Sequence, residues 1–451
     1  MELSDDQRNA VGVFNKGRNI LITGPGGSGK SYLIRHLMEL ATAAGKNIQV
    51  CAMTGCAAVL LQCKAKTIHS WGGLGIASGS IKDIVKRVTR NKHKKIAWKS
   101  TDILVIDEVS MMSKKMFDII DDISRTARGK KDIPFGGMQV ILSGDFYQLP
   151  PVGDNDDPDS TAFCFESDRW KECISNILEL TTIYRQRDSC YKKILNQIRI
   201  GKITKSTIEI LSKRLNLPIT EEIVPTILFP TRSHAEALNN REYNKLSSSE
   251  EIVFDLRVVD DSAGLKDGQK TTRKTCSIEY IESEINSLTN SMMADKQLKL
   301  KAGARVMCIA NIDQDSDLPV VNGSQGIVEG FSTIGLSPIV RFRNGAVKQI
   351  DPHCWSSENI PGVGVTQIPL IYAWAITIHK SQGVTLDAAQ IDVGSRIFEY
   401  GQTYVALSRV KDIEGLYLTD FNYKHIKVSK KVKQFYESYS FSKTTLIDQS
   451  M

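Results

Sequence analysis

Short apolar runs alternate with amphipathic helical stretches over roughly the first 180 residues of this chain. Four runs look like strands that are buried on both faces, and loop or helix signals follow each of them: "NILIT", "NIQVCAM", "DILVIDEV" and "MQVILSGD". Strands of this kind are typical of parallel sheets that are covered by helices. The pattern therefore predicts an α/β domain with a parallel central sheet.

One segment interrupts this alternation. The stretch "SIKDIVKRVTRNKHKKIAWKS" has apolar residues at helical spacing and carries eight Lys or Arg between Lys82 and Lys99 against one acid, Asp83. We interpret residues 81–99 as a basic helix. A solvated helix face is enough to explain this charge.

The pattern of apolar and polar residues changes twice after the first α/β domain. A second α/β stretch begins near "ILELTTIYRQRD", residues 260–300 are polar enough to form a long loop or a poorly ordered arm, and short β-patterned runs follow. The α/β texture then returns at "PLIYAWAITIHKSQG". We therefore predict a β domain that is inserted into the second α/β domain. The predicted first domain covers 1–180, with an insertion at 72–100, and the second covers 181–250 and 367–440. The inserted β domain with a polar arm covers 251–366, and a C-terminal tail covers 441–451.

Composition and charge narrow the class of protein. The 451 residues are 41% hydrophobic and 24% charged, and the formal net charge is +7. No apolar run approaches membrane-spanning length, and the start "MELSDDQRNA" is unlike a signal peptide, so we expect an intracellular chain without a membrane partner. The nine cysteines form no C-x-x-C pair, which argues against zinc ribbons and dithiol redox sites.

The strongest chemical signal is "GPGGSGKS" at residues 24–31, which fits the phosphate-loop pattern G-x-x-x-x-G-K-[ST]. It lies between a predicted strand and a predicted helix, where backbone N–H groups and the helix N-terminus bind phosphate oxygens. Lys30 is expected to reach the β- and γ-phosphates, and Ser31 is expected to hold Mg²⁺. A simple Gly-rich turn would not require the Lys-Ser pair after the last glycine.

An acidic pair supplies the second half of this site. Asp107 and Glu108 end the apolar run "ILVI". By itself such a pair is most often a helix N-cap. Beside a phosphate loop it predicts that Asp107 binds Mg²⁺ and that Glu108 orients and deprotonates a water, which favours hydrolysis of a nucleoside triphosphate over transfer to a small acceptor.

Seven motifs occur along the chain in a fixed order. They are "LSDDQRNAV", "TGCAAVLL…TIHSWGGLG", "VIDEVSMM", "PFGGMQVILSGDFYQLPPV", "LTTIYRQRD", "AWAITIHKSQGVTLD" and "TYVALSRVKDIEGLYL". Together they resemble the petite-integration-frequency (PIF) family of 5′-to-3′ DNA helicases, which is related to the RecD helicases. The resemblance implies two RecA-like P-loop NTPase domains, a small wedge insertion in the first domain and an SH3-like all-β insertion in the second.

The resemblance also implies a set of functional residues. The implied catalytic residues are Lys30, Asp107, Glu108, Gln148, Arg185 and Arg409, with the two arginines as fingers that reach the γ-phosphate. The implied nucleotide contacts are Gln7 (the adenine reader), Gly24, Gly26, Gly27, Ser28, Gly29, Lys30, Ser31, Gln382 and Gly383, and the metal ligands are Ser31 and Asp107. The implied DNA contacts are Thr54, His69, Phe146, Thr377, His379, Lys380 and Ser381, with Phe146 and Trp71 able to stack on bases. Surface salt bridges for the arginines and core packing for Trp71 are the competing interpretations.

The resulting hypothesis is an ATP- and Mg²⁺-dependent helicase that moves 5′-to-3′ on single-stranded DNA and opens forked duplexes in replication, repair, recombination, or telomere and genome maintenance. We expect a monomer, or an oligomer that forms transiently on DNA. An RNA helicase or nucleic-acid-dependent ATPase of the same superfamily is the alternative. A clamp that binds ATP without turnover would not need Glu108 and the arginines, and a small-molecule kinase would leave "TIHKSQG" and "YVALSR" unexplained.

Overall fold

The structure is a computed structural model. It describes residues 2–61, 63, 65–75, 77, 79–154, 156–219, 225–247, 250–261, 276–313, 317–357 and 360–445. Backbone contacts divide the chain into two compact units. Unit 1 comprises Met1–Ile219 and Ile391–Met451, and unit 2 comprises Thr220–Gln390.

The strands in chain order are β1 Ile20–Thr23, β2 Ile48–Ala52, β3 Lys66–Thr67, β4 Ile103–Asp107, β5 Gln139–Ser143, β6 Asn176–Glu179, β7 Thr226–Phe229, β8 Ile252–Asp255, β9 Arg257–Asp260, β10 Gln297–Leu300, β11 Arg305–Cys308, β12 Gln325–Phe331, β13 Pro338–Phe342, β14 Val347–Gln349, β15 His353–Ser356, β16 Val363–Gln367, β17 Leu370–Tyr372, β18 Ala375–Thr377, β19 Ala389–Val393 and β20 Leu416–Phe421.

The α-helices are α1 Asp5–Asn15, α2 Lys30–Ala43, α3 Gly55–Leu61, α4 Ile68–Gly72, α5 Ile81–Arg90, α6 Lys92–Ser100, α7 Lys114–Arg128, α8 Pro158–Thr161, α9 Trp170–Cys173, α10 Ser189–Ile200, α11 Lys205–Ser212, α12 Arg232–Asn244, α13 Ile278–Ser291, α14 Gln402–Leu407 and α15 Lys430–Thr445.

A parallel sheet forms the centre of unit 1. Its strand order is β3-β2-β4-β5-β1-β6, and every neighbouring pair is parallel. The four runs that the hydrophobic pattern predicted as strands are β1, β2, β4 and β5, so that prediction is confirmed. Since β4, β5 and β1 are neighbours, their carboxyl ends lie side by side at one edge, where open α/β sheets bind ligands.

Both faces of this sheet are covered. On β1, Leu21 packs into one apolar cluster while Ile20 and Ile22 pack into another, and all three are fully buried. The period-2 alternation of a strand sends neighbouring side chains to opposite faces. The continuous apolar run therefore follows from burial on both sides.

The basic segment differs from the prediction of one helix over 81–99. It forms α5 and α6, with a break at Asn91 (φ −72°, ψ 111°). The Asn91 side chain accepts a hydrogen bond from the backbone N–H of Lys94 at 3.1 Å, so it caps the second helix. An asparagine that serves as an N-cap ends one helix and starts another, which the apolar spacing did not show.

Unit 2 contains the predicted β-rich region. A five-stranded antiparallel sheet has the order β14-β13-β12-β11-β17, and β15, β16 and β9 form a second antiparallel sheet. Separately, β7 and β18 pair in parallel. The runs predicted as short strands, "ARVMCIANI" to "AVKQI", are β11 to β14, as expected.

The prediction of a loop or poorly ordered arm over 260–300 is wrong for part of that range. Residues 278–291 form α13, which is capped by Ser277, and residues 297–300 form β10. The polar composition suggested a loop, but α13 has enough apolar residues at helical spacing to pack on one face. The part of the predicted arm at 262–275 lies outside the described residues.

Helix α15 extends to Thr445, into the range interpreted as a tail, and residues 446–451 of that tail lie outside the described part. Within the described ranges, none of the helices combines the length and the apolar character that a membrane crossing requires.

Candidate nucleotide site

The phosphate loop follows β1 and ends at α2. Three of its glycines have positive φ: Gly24 at 139°, Gly27 at 80° and Gly29 at 85°. A side chain on Gly24 or Gly27 would also collide, because the added Cβ would lie 2.4 Å from Leu180 O or from Arg185 Cβ. The backbone shape and the close packing both require glycine here.

Lys30 is the first residue of α2, and its Nζ donates to the carbonyl oxygens of Gly24 at 2.7 Å and Pro25 at 3.0 Å. Burial lowers the pKa of Lys30, while Asp145, Glu108 and Asp107 act to raise it. The ammonium thus lies inside the loop among carboxylates. The sequence-based position of Lys30 at the phosphates is consistent with this geometry.

Two more loop contacts bear on the nucleotide prediction. Gln7 is 2% exposed, and its Nε2 donates to Gly29 O at 3.4 Å while its Oε1 accepts from the backbone N–H of Ser4. The Ser28 hydroxyl is buried and has no hydrogen-bond partner among the described atoms. A buried polar group without a partner is costly, so Ser28 suits a site that is completed by a polar ligand.

The acidic pair lies at the carboxyl end of β4. The Asp107 carboxylate accepts from the Ser143 hydroxyl at 2.7 Å, which joins the ends of β4 and β5. Burial raises the pKa of Asp107, and the Ser143 hydrogen bond and Lys30 oppose that shift. A nearby cation would stabilise the ionised form of a buried carboxylate in this position.

Glu108 has a left-handed backbone, with φ 57° and ψ 41°. Such a conformation costs about 1–3 kcal/mol for a residue other than glycine, and strain of this kind clusters at functional sites. Burial lowers the pKa of Lys30, Arg185 and Arg409, and the Glu108 carboxylate acts in the opposite direction on all three. Glu108 is therefore the acid that the three cations share.

The structure brings both predicted arginine fingers to the phosphate loop within unit 1. A Cβ placed on Gly26 would lie 3.5 Å from Arg409 Nη2 and 3.6 Å from Arg185 Nη1. Arg409 is 1% exposed, and burial, followed by repulsion from Arg185, lowers its pKa to about 9. Two guanidiniums held together at a buried place are stabilised by an anion between them.

The hydrogen bonds of these arginines hold them near the loop. Arg409 Nε donates to Val405 O at 2.9 Å, and Arg185 Nη1 donates to Ser408 O at 3.2 Å. One turn before Arg409, the Tyr404 hydroxyl accepts from the backbone N–H of Gly26 at 2.9 Å. The segment "TYVALSR" therefore touches the phosphate loop directly.

Gln148 lies in the turn after β5 and is 4% exposed. Its backbone N–H donates to Asp145 O at 2.8 Å. The turn packs closely against the start of α14, since a Cβ on Gly401 would lie 2.4 Å from the carbonyl oxygens of both Tyr147 and Gln148. Gln148 is thus fixed beside the same segment that carries Arg409.

Sequence reasoning missed a buried ion pair behind this turn. Asp145 (0% exposed) accepts two hydrogen bonds from Arg199 (5% exposed), at 2.9 Å from Nε and 3.0 Å from Nη2. The Arg199 guanidinium also lies over the Tyr147 ring at 4.9 Å. Asp145 stands next to a predicted site residue, but Arg199 looked like an ordinary cation in the last turn of a helix.

The prediction that Phe146 stacks on a base disagrees with its position. Its ring is 1% exposed and makes edge-on contacts with Phe165 at 4.9 Å and Phe435 at 5.3 Å. The apolar cluster withdraws the ring from any ligand, because the turn after β5 places it against Phe165 and Phe435. Trp71 is likewise buried, 4.5 Å from Trp98, as the packing interpretation had it.

The other DNA contacts predicted in unit 1 are Thr54 and His69. Thr54 Oγ1 accepts from the backbone N–H of Ala57 at 3.2 Å, so it caps α3. His69 lines a pocket of about 640 Å³ that Lys115 and Asp157 also line, and burial lowers its pKa. A neutral imidazole is expected there. The contact of either residue with DNA stays a prediction.

The remaining predicted residues lie in unit 2. Thr377 ends β18, and its Oγ1 accepts a hydrogen bond from the backbone N–H of Lys380 at 3.1 Å. His379 and Lys380 are half-buried. Gln382 and Gly383 continue the same turn. Ser381 is 0% exposed, and its hydroxyl donates to Ile378 O at 2.7 Å. That burial contradicts a direct contact of the Ser381 side chain with DNA, since the hydroxyl braces the turn.

The residues of unit 1 fit ATP and Mg²⁺. The glycine backbone, the unpartnered Ser28 hydroxyl and the paired guanidiniums suit a polyphosphate. The Ser31 hydroxyl and Asp107 carboxylate are the oxygen ligands that Mg²⁺ takes when substrate phosphates complete its shell. In the described ranges no group of three or more His, Cys, Asp or Glu side chains would hold a metal by itself.

The chain is similar to known helicases over nearly its whole length. It matches the family profile for PIF1-like helicase over residues 2–209 and the profile for the 2B domain of DNA helicase Pif1 over residues 285–331. It is 34% identical to the ATP-dependent DNA helicase PIF1 of Xenopus laevis, with 97% of this chain and 64% of that protein aligned. The chain thus spans less than two thirds of that relative.

Solved structures agree with the sequence comparisons. A crystal structure of the Pif1 helicase from Candida albicans superposes with a TM-score of 0.75 at 32% identity, covering 97% of this chain and 100% of that one. Bacteroides Pif1, crystallised with ADP-AlF3 and single-stranded DNA, gives 0.66 at 28% identity, covering 98% of both chains. The prediction of an α/β fold of the RecA-like helicase type is confirmed. This chain belongs to the PIF1-like helicase family.

Proposed function

We propose that this protein hydrolyses ATP in unit 1 and uses the energy to move 5′-to-3′ along single-stranded DNA and to separate duplex DNA. The observation that carries the proposal is the convergence of Lys30, Arg185 and Arg409 on the phosphate loop, with Glu108 acting on all three. A structural salt bridge would need one cation for one acid. Three cations gathered around glycine backbone suit a triphosphate.

Each side chain then has a chemical role. Lys30 and the two arginines stabilise negative charge on the phosphoryl oxygens, and an arginine finger is worth about 10³–10⁵ in rate where it has been measured. Glu108 accepts the proton of the attacking water, and Gln148 orients that water. ATP supplies the phosphoanhydride bond, with Mg²⁺ held by Ser31 and Asp107 to neutralise its charge.

The DNA part of the proposal rests on the family and on charge. A relative of this chain has been crystallised with single-stranded DNA. In this chain, α5 and α6 carry the basic segment, and Lys380 and His379 offer donors of the kind that bind phosphate oxygens without reading sequence. Opening a duplex costs roughly 1.4 kcal/mol of stacking per step, so continuous unwinding needs the energy of a nucleotide. Roles in replication, repair or recombination follow from that activity.

The decisive experiment compares substrates of opposite polarity. Duplexes with a 5′ or a 3′ single-stranded tail, in matched DNA and RNA versions, are incubated with the protein, ATP and Mg²⁺, and strand separation is followed by fluorescence. We expect separation of the 5′-tailed DNA only, and none with the Lys30→Ala variant. Separation of the 3′-tailed DNA would refute the polarity, and preference for the RNA forks would refute the choice of DNA.

ATP hydrolysis is measured in the same samples. We expect single-stranded DNA to stimulate it several-fold, because a motor couples its fuel to its track. Equal hydrolysis with and without DNA would remove the motor role while leaving an ATPase. We also expect a monomer in solution, with oligomers forming only on DNA, which sedimentation with and without a forked duplex distinguishes.

A further inference from the structure

We propose that Tyr436, on the C-terminal helix α15, is a positioning residue for ATP hydrolysis: its hydroxyl ties the strand that enters the phosphate loop to the turn that carries Gln148. The inference rests on the proposed ATPase activity. None of the sequence motifs includes Tyr436.

The Tyr436 hydroxyl lies between the end of β1 and the turn after β5. It lies 2.6 Å from the hydroxyl of Thr23, and it accepts a hydrogen bond from the backbone N–H of Phe146 at 3.2 Å. Thr23 is the last residue of β1 and is 1% exposed; the next residue, Gly24, accepts from Lys30. One oxygen atom thus touches two elements that both act on the nucleotide.

The side chain is held in place from several directions. Its ring stacks on the ring of Tyr147 at 4.9 Å with an interplanar angle of 12°, and the Arg199 guanidinium lies 5.8 Å from its centre. On the same helix, Phe435 enters the aromatic cluster around Phe146. The ring therefore has packing partners that do not depend on its hydroxyl.

The hydroxyl keeps its proton at every working pH. Burial and the Asp145 carboxylate raise the pKa of Tyr436, with Arg199 and the hydrogen bonds of Thr23 and Phe146 acting against that shift. A neutral phenol can donate one hydrogen bond while it accepts another. It can therefore donate to the Thr23 hydroxyl while it accepts from the Phe146 N–H.

This geometry predicts an effect on turnover rather than on binding. Without the hydroxyl, the phosphate loop and the Gln148 turn each keep their own backbone contacts, so ATP and DNA still bind. What is lost is a link that, beyond the pairing of β1 with β5, fixes the spacing between Lys30 and Gln148. Misplacement of catalytic groups lowers the rate of the chemical step.

The test is Tyr436→Phe, which removes one oxygen and keeps the ring. The matched control is Tyr439→Phe on the same helix, whose ring contacts Phe435 at 5.1 Å. In steady-state ATPase assays with saturating single-stranded DNA we expect kcat of Tyr436→Phe to fall about tenfold, the order expected for one lost hydrogen bond. We expect KM for ATP to stay within about twofold, and the control to match the wild type.

A second variant separates positioning from folding. Thr23→Val removes the other hydroxyl at nearly constant volume, and a double-mutant cycle with Tyr436→Phe measures whether the two act together. We expect the double variant to be no slower than the slower single variant. Multiplicative effects, or a Tyr436→Phe kcat equal to that of the wild type, would overturn the inference. Unfolding of Tyr436→Phe in a melting experiment, with normal kcat for Thr23→Val, would also overturn it.

These outcomes are distinct from failure of the proposed function. If the wild-type chain does not hydrolyse ATP, the proposed function and this inference fall together. If the wild type is active and Tyr436→Phe equals it, only the positioning role is refuted.

Discussion

Breaking the Asp145–Arg199 ion pair tests how unit 1 holds the Gln148 turn. In the variant Arg199→Met the Asp145 carboxylate stays fully buried without its bidentate partner. Removing one member of a buried pair costs about 3–5 kcal/mol, since the remaining charge has been taken out of water without compensation. The contact of the guanidinium with the Tyr147 ring at 4.9 Å adds to the loss.

We therefore expect the free energy of unfolding of unit 1 to fall by about 4 kcal/mol, which lowers the urea midpoint by roughly 1–2 M. The buried residues Trp98 and Trp170 make unit 1 visible by fluorescence. The control is Arg8→Met, because Arg8 is 59% exposed in its pair with Asp5 and such pairs contribute under about 1 kcal/mol.

A compensating variant sharpens this test. In Asp145→Leu/Arg199→Met both charges are gone, so most of the stability should return, because apolar residues often replace a buried pair without loss. The remaining deficit should be about 1–2 kcal/mol, since the backbone N–H of Tyr147, which donates to Asp145 at 3.2 Å, loses its acceptor. If Arg199→Met costs no more than Arg8→Met, the buried pair does not support the turn.

Three further predictions concern turnover. Glu108→Gln should keep ATP and DNA binding but lower kcat by about 10²–10⁴; near-normal hydrolysis would exclude Glu108 as the base. Arg409→Met should lower kcat by about 10³ or more. It should nevertheless raise the melting temperature of the nucleotide-free protein, because burial lowers the pKa of Arg409 to about 9 and the methionine removes that buried charge. A lower melting temperature would show that neighbouring groups already compensate the charge of Arg409. Gln148→Ala should reduce DNA-stimulated ATPase and unwinding more than DNA affinity, and an equal loss in a DNA-binding titration would make it a binding residue.

The sequence predicted the elements that depend on local pattern. The strands β1, β2, β4 and β5 were readable because burial on both faces leaves continuous apolar runs, and the phosphate loop because its glycines have backbone conformations that few other residues adopt. The residues Arg185 and Arg409 were found through a family resemblance. Composition and periodicity alone do not reveal that two arginines 224 positions apart meet at Gly26.

The features that could not be predicted from the sequence depend on partners far along the chain or on one helix-capping side chain. Phe146 has polar neighbours in the sequence, as an aromatic residue that binds a ligand often does. Its packing partner Phe435 lies far along the chain and completes the apolar core around it. The pairing of Asp145 with Arg199 was hidden for the same reason. One side chain, Asn91, divides the basic helix, and hydrophobic spacing carries no information about such a cap.

Unit 1 is assembled from two stretches of chain, with residues 220–390 of unit 2 between them. The phosphate loop and Glu108 leave the ribosome long before Arg409 and the residues of α15. Since domains begin to fold during synthesis, the nascent loop spends that interval without the arginine and the helix that complete it. The proposed hydrolysis should therefore be slower by about 10³ or more on a chain that ends before Arg409, and the order of synthesis delays full activity until both stretches are present.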